Sequence, residues 1–177
     1  MVATRRHAIK QLLMVSAGIA LLPSCMQDKE KSSMLLKKIS IDASQEKLLA
    51  ELCETIIPAT ETPGAKDISA HLFALKMMDD CFSKEDQQKF IAGLKSFEEV
   101  SEKQSARSFV SSTPEQRQAV LKSVEARKKD KDDLAYFYGT LKRLTIQAYT
   151  MSKYYLTRVQ VYELVPSRYH GCLHVAV

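Results

Sequence analysis

Asp42-Ala43-Ser44-Gln45-Glu46-Lys47-Leu48-Leu49-Ala50-Glu51-Leu52-Cys53-Glu54-Thr55-Ile56-Ile57-Pro58 decides the fold. Leu48, Leu49, Leu52, Cys53 and Ile56 recur three and four residues apart, which puts them on one helical face. Asp42 stands where an N-cap belongs, with Gln45 three residues on, as in a capping box. Pro58 cannot continue the helix. The stretch predicts an amphipathic helix over about 43–57 that needs further helices to cover its apolar face.

Downstream, Ile56-Ile57-Pro58-Ala59-Thr60-Glu61-Thr62-Pro63-Gly64-Ala65 concentrates two prolines and a glycine and reads as a fixed turn. Asp67 is placed to cap a second helix running to about Asp80, with Ile68, Leu72, Leu75 and Met78 inward. Ser83 opens a third, to about Glu102, with Phe90, Ile91, Leu94 and Phe97 as its stripe. Thr113-Pro114-Glu115-Gln116 unites a cap, a first-turn proline and a glutamine. It starts a fourth helix carrying Val120, Leu121 and Val124 to about Lys129. Asp132 or Asp133 starts the last, through Leu134, Phe137, Leu141, Leu144 and Ala148 to about Ser152. No alternating run before residue 155 signals a strand, and no repeat is present. The expected class is all-α: a small orthogonal or irregular bundle of about five helices over 42–154. An extended C-terminal arm follows over 155–177, where Pro166 and Gly171 interrupt a stretch without a helical stripe.

Upstream, Thr4-Arg5-Arg6-His7-Ala8-Ile9-Lys10 precedes an apolar run from Leu12 to Leu22, which closes on Leu22-Pro23-Ser24-Cys25. Charged, apolar, then small is the order of a secretory signal. The apolar run is about half of the roughly 20 residues a spanning helix needs, so a permanent transmembrane anchor is not expected. Arg5 and Arg6 resemble a twin-arginine export signature, with Ala8 and Ile9 where that pattern usually has Phe and Leu. The other reading is a basic leader that happens to hold two arginines. Leu22-Pro23-Ser24-Cys25 resembles a lipobox, whose cleavage leaves Cys25 as an acylated N-terminus; ordinary signal cleavage near Ser24 is the alternative. On the lipobox reading residues 1–24 are removed, 25–41 form a polar tether, and the domain sits exported and lipid-anchored on the periplasmic side of a bacterial membrane.

Charge argues against nucleic acid as a partner. Of 26 basic side chains, Arg5, Arg6 and Lys10 lie in the first 24 residues, which hold no acid, leaving 23 against 21 acidic ones. Nucleic-acid binding needs a clustered basic face, and Arg127-Lys128-Lys129 is followed by Asp130, Asp132 and Asp133. Lipidation of Cys25 leaves Cys53, Cys81 and Cys172, an odd number that suggests a free thiol or a bond to another chain. Three buried reduced thiols acting as small hydrophobes are the alternative.

Residues with recognisable chemistry are few. The five glycines, at 18, 64, 93, 139 and 171, form no phosphate loop. Cys-x-x-Cys, Gly-x-Ser-x-Gly and His-Glu-x-x-His do not occur. No catalytic or cofactor-binding residue is therefore assigned. His170-Gly171-Cys172-Leu173-His174 would place His170, Cys172 and His174 on one face of an extended chain. Without an evident fourth ligand they remain weak metal candidates beside a packed or partner-facing tail. His71 reads as a surface or satisfied core histidine, and Asp79-Asp80 as a solvated pair. All seven tyrosines fall between 136 and 169. Tyrosine is enriched at interfaces, so this end suggests a segment that wraps a partner; the alternative is that the rings cover their own helices.

The block Glu54-Thr55-Ile56-Ile57-Pro58-Ala59-Thr60-Glu61-Thr62-Pro63-Gly64-Ala65-Lys66 resembles the small subunit of membrane-bound gluconate 2-dehydrogenase, the subunit 3 family. Phe90-Ile91-Ala92-Gly93-Leu94, Leu141-Lys142-Arg143-Leu144-Thr145 and Val165-Pro166-Ser167-Arg168-Tyr169-His170-Gly171-Cys172 extend the resemblance, while Ala148 replaces a glycine of the pattern. The resemblance implies a non-catalytic subunit beside a large flavoprotein dehydrogenase. That partner would carry FAD, oxidise a sugar, sugar acid or glycoside, and pass electrons to a cytochrome c subunit or another acceptor. It further implies that the small chain guides export of the large one and anchors it. Pro58, Pro63, Gly64, Tyr162, Tyr169 and Cys172 are the expected partner contacts, with Cys172 the thiol for a contact or disulfide. A stand-alone helical lipoprotein is the competing reading, and an enzyme in its own right the third.

Overall fold

The structure is a computed structural model that describes residues 32–127, 132–160 and 162–163. Five α-helices account for most of them: α1 (Ala43–Ile56), α2 (Ala70–Cys81), α3 (Lys84–Ser105), α4 (Pro114–Ala126) and α5 (Asp133–Thr150). A 3₁₀ turn, Phe109–Ser111, lies between α3 and α4, and a π-helical turn, Tyr155–Val159, follows α5. No β-strand occurs among the described residues, and the class is all-α. No described helix is long and apolar enough to cross a membrane.

The start signals act as their chemistry demands. Asp42 and Thr113 each form a complete capping box, with Gln45 and Gln116 answering from the third helical position. Ser83 caps α3 through Asp86 N–H, and Asp132 caps α5 through Ala135 N–H. α2 is the exception. Asp67 does not cap it; the helix begins at Ala70 behind Ser69, which has a left-handed backbone (φ 54°) and no side-chain cap. Residues 65–69 are consumed by tight turns, because Ala65 is fully buried and its N–H is tied to Ile57 O at 2.9 Å. The chain must return to α1 before a new helix can leave.

α5 is the central element and touches each of the other four helices. Its buried face is Leu134, Phe137, Tyr138, Leu141, Leu144, Thr145 and Ala148, with Thr140. The tightest approach is to α3. A Cβ on Gly93 would lie 2.1 Å from Asp133 O and 2.4 Å from Phe137 Cβ. That closeness lets Phe90 meet Phe137 edge-on at 4.9 Å between centroids, with Phe97 at 6.0 Å from Phe137 and 5.2 Å from Phe109. Such pairs add about 0.5–1.5 kcal/mol each beyond the area they bury.

The short connection from α2 to α3 is closed by Gln87. Its buried amide Nε2 reaches the carbonyls of Met78, Asp79 and Phe82 at 2.9, 3.1 and 3.2 Å. These are among the carbonyls that a helix C-terminus leaves without partners.

Three expectations are corrected. The polar tether does not extend to residue 41: Ile39 and Ile41 are buried and Leu36 packs against the core. Asp79 is the cause. It is not solvated but fully buried, and its carboxylate accepts the N–H groups of Lys37, Lys38 and Ile39 at 2.9, 2.7 and 3.0 Å. The C-terminal arm does not begin extended, since Tyr155–Val159 continues as a helical turn in which Gln160 N–H donates to Tyr155 O. The remainder of the arm from 164 lies outside the described residues.

Two outcomes test this packing. Gly93→Ala should destabilise by about 1–3 kcal/mol or more through overpacking. Gly139→Ala, with nothing within 4 Å of the new methyl, should stabilise by about 0.5–1 kcal/mol through helix propensity. Urea denaturation of the two variants checks the opposite signs. Separately, burial raises the Asp79 pKa, but its three backbone donors outweigh burial and hold it below the ordinary value. A depressed carboxyl contributes stability above its unfolded pKa and loses it as pH falls. Denaturation midpoints should therefore drop as pH falls below about 4, and Asp79→Asn should flatten that acid limb.

Candidate functional site: a clasped loop at the end of α1

Residues 57–69 form an irregular segment with an exposed tip, joined to the core on both sides. Pro58, Ala59, Thr60 and Glu61 are exposed, while Gly64 and Ala65 are buried beneath them. Glu54 makes this shape possible. One carboxylate oxygen accepts Ala59 N–H and the other accepts Lys66 N–H, both at 2.9 Å, so one side chain closes the loop at its two ends. Gly64 is required by proximity: a Cβ there would meet the Glu54 carboxylate at 2.5 Å and Ala59 N at 2.6 Å. Asp67, freed from capping, accepts Gly64 N–H at 2.9 Å. Thr60 N–H donates to Thr62 O at 3.0 Å and tightens the tip.

A charged frame flanks the loop. Glu51, one turn back on α1, binds Lys66 Nζ at 2.5 Å and Arg117 Nη1 at 2.7 Å. Arg117 also donates to Phe109 O at 3.0 Å and Val110 O at 2.6 Å, and its guanidinium lies 5.6 Å from the Phe109 ring centroid. Burial alone would raise the Glu51 carboxyl; Lys66 and Arg117 together hold it below the ordinary carboxylate value. The frame thus ties α1, the loop, the 3₁₀ turn and α4 to one another.

The loop also meets the end of α5. Tyr149 Oη and Thr62 Oγ1 are 3.4 Å apart, and the Tyr149 ring packs edge-on to Tyr155 at 6.2 Å. The chain leaves toward its C-terminus from this corner, where Tyr162 is 58% exposed. Of the expected partner contacts, Pro58, Pro63 and Gly64 are brought together in the loop, Pro58 outermost. Arg5, Arg6, Cys25, Tyr169, His170, Cys172 and His174 lie outside the described residues. Among the described residues no group of acidic, histidine and cysteine side chains could hold a metal ion.

The other singled-out residues resolve into packing roles. The Thr145 hydroxyl lies 3.2 Å from Cys53 Sγ, and burial pushes that thiol up to about 12. Such a thiol is inert. Cys81 is exposed instead, so the reading in which every thiol is buried fails there. Burial holds His71 below its ordinary pKa, with Glu46 opposing, and its Nδ1 has no hydrogen-bond partner. Tyr136 donates to Asp86 at 2.9 Å and Tyr138 to Glu125 at 3.0 Å, so these two rings tie α5 to α3 and α4 within the domain. A concavity of about 600 Å³ runs between α4 and α5, lined by Val124, Tyr138, Gly139, Lys142, Arg143 and Ile146 among others.

Glu54 and Arg117 carry the site without any sequence motif to announce them. Glu54 does leave one trace, since a carboxylate in the last turn of a helix opposes the macrodipole and so calls for another partner. Removing it should loosen the loop and little else. Glu54→Ala should cost about 1–3 kcal/mol from two charge-assisted bonds whose donors can partly rehydrate. Amide exchange at Ala59 and Lys66 should accelerate while the helical circular dichroism is retained.

Comparison with known proteins gives one match. The family model described as Gluconate 2-dehydrogenase subunit 3 matches residues 43–166. No curated protein and no solved structure matches. The matched span begins at the first residue of α1 and takes in all five helices, the clasped loop and the corner where Tyr149 meets Thr62. The chain therefore belongs to the gluconate 2-dehydrogenase subunit 3 family.

Proposed function

We propose that this chain is the non-catalytic small subunit of a periplasmic, membrane-bound, FAD-dependent dehydrogenase that oxidises a sugar, sugar acid or glycoside. Its role is to guide export and maturation of the large flavoprotein subunit and to anchor it through a lipid on Cys25. FAD belongs to the partner on this reading, and a cytochrome c subunit is the further expected member of the complex. The family match carries the proposal. The twin-arginine character of Arg5-Arg6 and the lipobox ending at Cys25 support the export and anchoring parts.

The clasped loop supplies the docking chemistry. Interfaces gain affinity when the contacting segment is ordered before binding, because less conformational entropy is then lost. Pro58 to Glu61 are exposed yet held from beneath by Glu54, Asp67 and buried Ala65. The loop is exposed at its tip and tied at both ends, with Tyr149 beside it. Inert Cys53 and the ion-paired Glu51 serve to hold that surface in place.

Co-expression with a candidate large flavoprotein dehydrogenase subunit tests the proposal. The two chains should co-purify from the membrane fraction, and deletion of this chain should leave the large subunit cytoplasmic or inactive. Glu54→Ala or Gly64→Val should weaken co-purification by about tenfold, a loss of about 1.4 kcal/mol, without abolishing the fold. A large subunit exported and active without this chain would defeat the proposal in favour of a stand-alone lipoprotein. Sugar oxidation by the isolated chain would point to an enzyme.

A further inference from the structure

Among the described residues Leu35 is the most exposed large apolar side chain, at 92%, against 59% for the next, Met151. On a frayed end that would mean little, but Leu35 is pinned on both sides. Two residues before it, Ser33 N–H donates to Glu46 Oε2 at 2.6 Å and the Ser33 hydroxyl to Oε1 at 2.5 Å. Two residues after it, Lys37 N–H donates to Asp79 Oδ2 at 2.9 Å, and the next two N–H groups follow onto the same carboxylate. Leu36 turns inward and packs against the core. The fold holds Leu36 in and Leu35 out.

The charges around Leu35 are arranged to match. Lys37 and Lys38 are exposed beside it. Lys38 Nζ lies 3.4 Å from Asp80 O, and Lys76 pairs with the Asp80 carboxylate at 2.9 Å. The neighbouring acids are each engaged: Glu46 by Ser33, Asp79 by three backbone donors, Asp80 by Lys76. Lysine ammoniums remain as the outward charges next to the leucine.

An apolar side chain flanked by lysines suits the boundary between lipid headgroups and acyl chains. Leucine enters the apolar edge, and the lysine stems lie along it with their ammoniums among the phosphates. Leu35 is separated from the proposed anchor by only ten residues of chain, which reach at most about 33–36 Å. We infer that Leu35, Lys37 and Lys38 form a second contact with the phospholipid surface, one that sets which face of the domain is turned to the membrane. This rests on the lipid anchor proposed above. A lipid on a polar chain gives proximity without orientation; a leucine fixed to α1 and α2 through Glu46 and Asp79 gives orientation. The flavoprotein is then presented from the other sides of the domain.

The chain contains no tryptophan, so Leu35→Trp installs a single fluorophore at the contact. The processed chain carrying it is reconstituted into vesicles of phosphatidylethanolamine and phosphatidylglycerol. Its emission should move to the blue, and brominated acyl chains should quench it at least about twofold, as expected at the headgroup boundary. Arg107→Trp, just past the far end of α3 and about 33 Å along that helix, should stay unquenched. Lys37→Gln combined with Lys38→Gln should reduce the quenching of Trp at 35. Full accessibility of that tryptophan to aqueous iodide, on chains shown by mass spectrometry to be acylated, would overturn the inference while leaving the anchor intact. Shielding that appears only when the flavoprotein subunit is added would also overturn it, assigning the surface to a protein partner. If the mass shows no acyl chains, the anchor fails, and quenching by vesicles added to that same chain still decides this contact.

Discussion

The approach of α3 to α5 at Gly93 is the constraint from which the rest follows. With Asp133 O where a methyl group would otherwise stand, the two helices come close enough for Phe90, Phe97 and Phe137 to form one aromatic cluster. That contact sets the height and rotation of α5, the helix every other one leans on. Once α5 is placed, Thr145 comes to lie under Cys53 of α1 and Tyr149 comes to meet Thr62 of the loop. A single missing side chain thereby determines the corner at which the candidate surface is built.

Carboxylates do the remaining work, in one recurring way. Glu46 holds Ser33, Asp79 holds residues 37–39, and Glu54 holds both ends of the 57–66 loop. In each case an acid on a helix accepts backbone N–H groups from a segment that has no helix of its own. Irregular backbone near a core must find partners for its donors, and a charged acceptor makes the stronger bond. The helices form the bundle through apolar contact, whereas the surface segments are placed by these acids. The docking role proposed above depends on the placement of those segments.

The helices were legible in the sequence for a physical reason. Capping boxes at Asp42 and Thr113 and the cap at Ser83 act over three residues, and apolar stripes repeat within one or two turns. Such signals are complete within a short window, and α1, α3, α4 and α5 begin where those signals stand. Asp67 misled because it satisfies the same local rule, but burial of Ala65 and the bond to Ile57 O take priority. Asp79 misled in the opposite sense: adjacent acids ordinarily face water, and its partners lie about forty residues upstream.

The sequence by itself determined the all-α class, the positions of most helix starts, the turn at Pro58–Gly64 and the family resemblance that the matched span of residues 43–166 bears out. Only the tertiary structure decided that Glu54 clasps that turn, that Arg117 and Lys66 share Glu51, and that Leu35 is held outward while Leu36 is held in. The division follows from range. Caps and stripes are contacts within a helix, whereas Arg117 reaches Glu51 across 66 residues and Tyr149 reaches Thr62 across 87. No local pattern records contacts of that span, because they exist only after α3 and α5 have closed on Gly93.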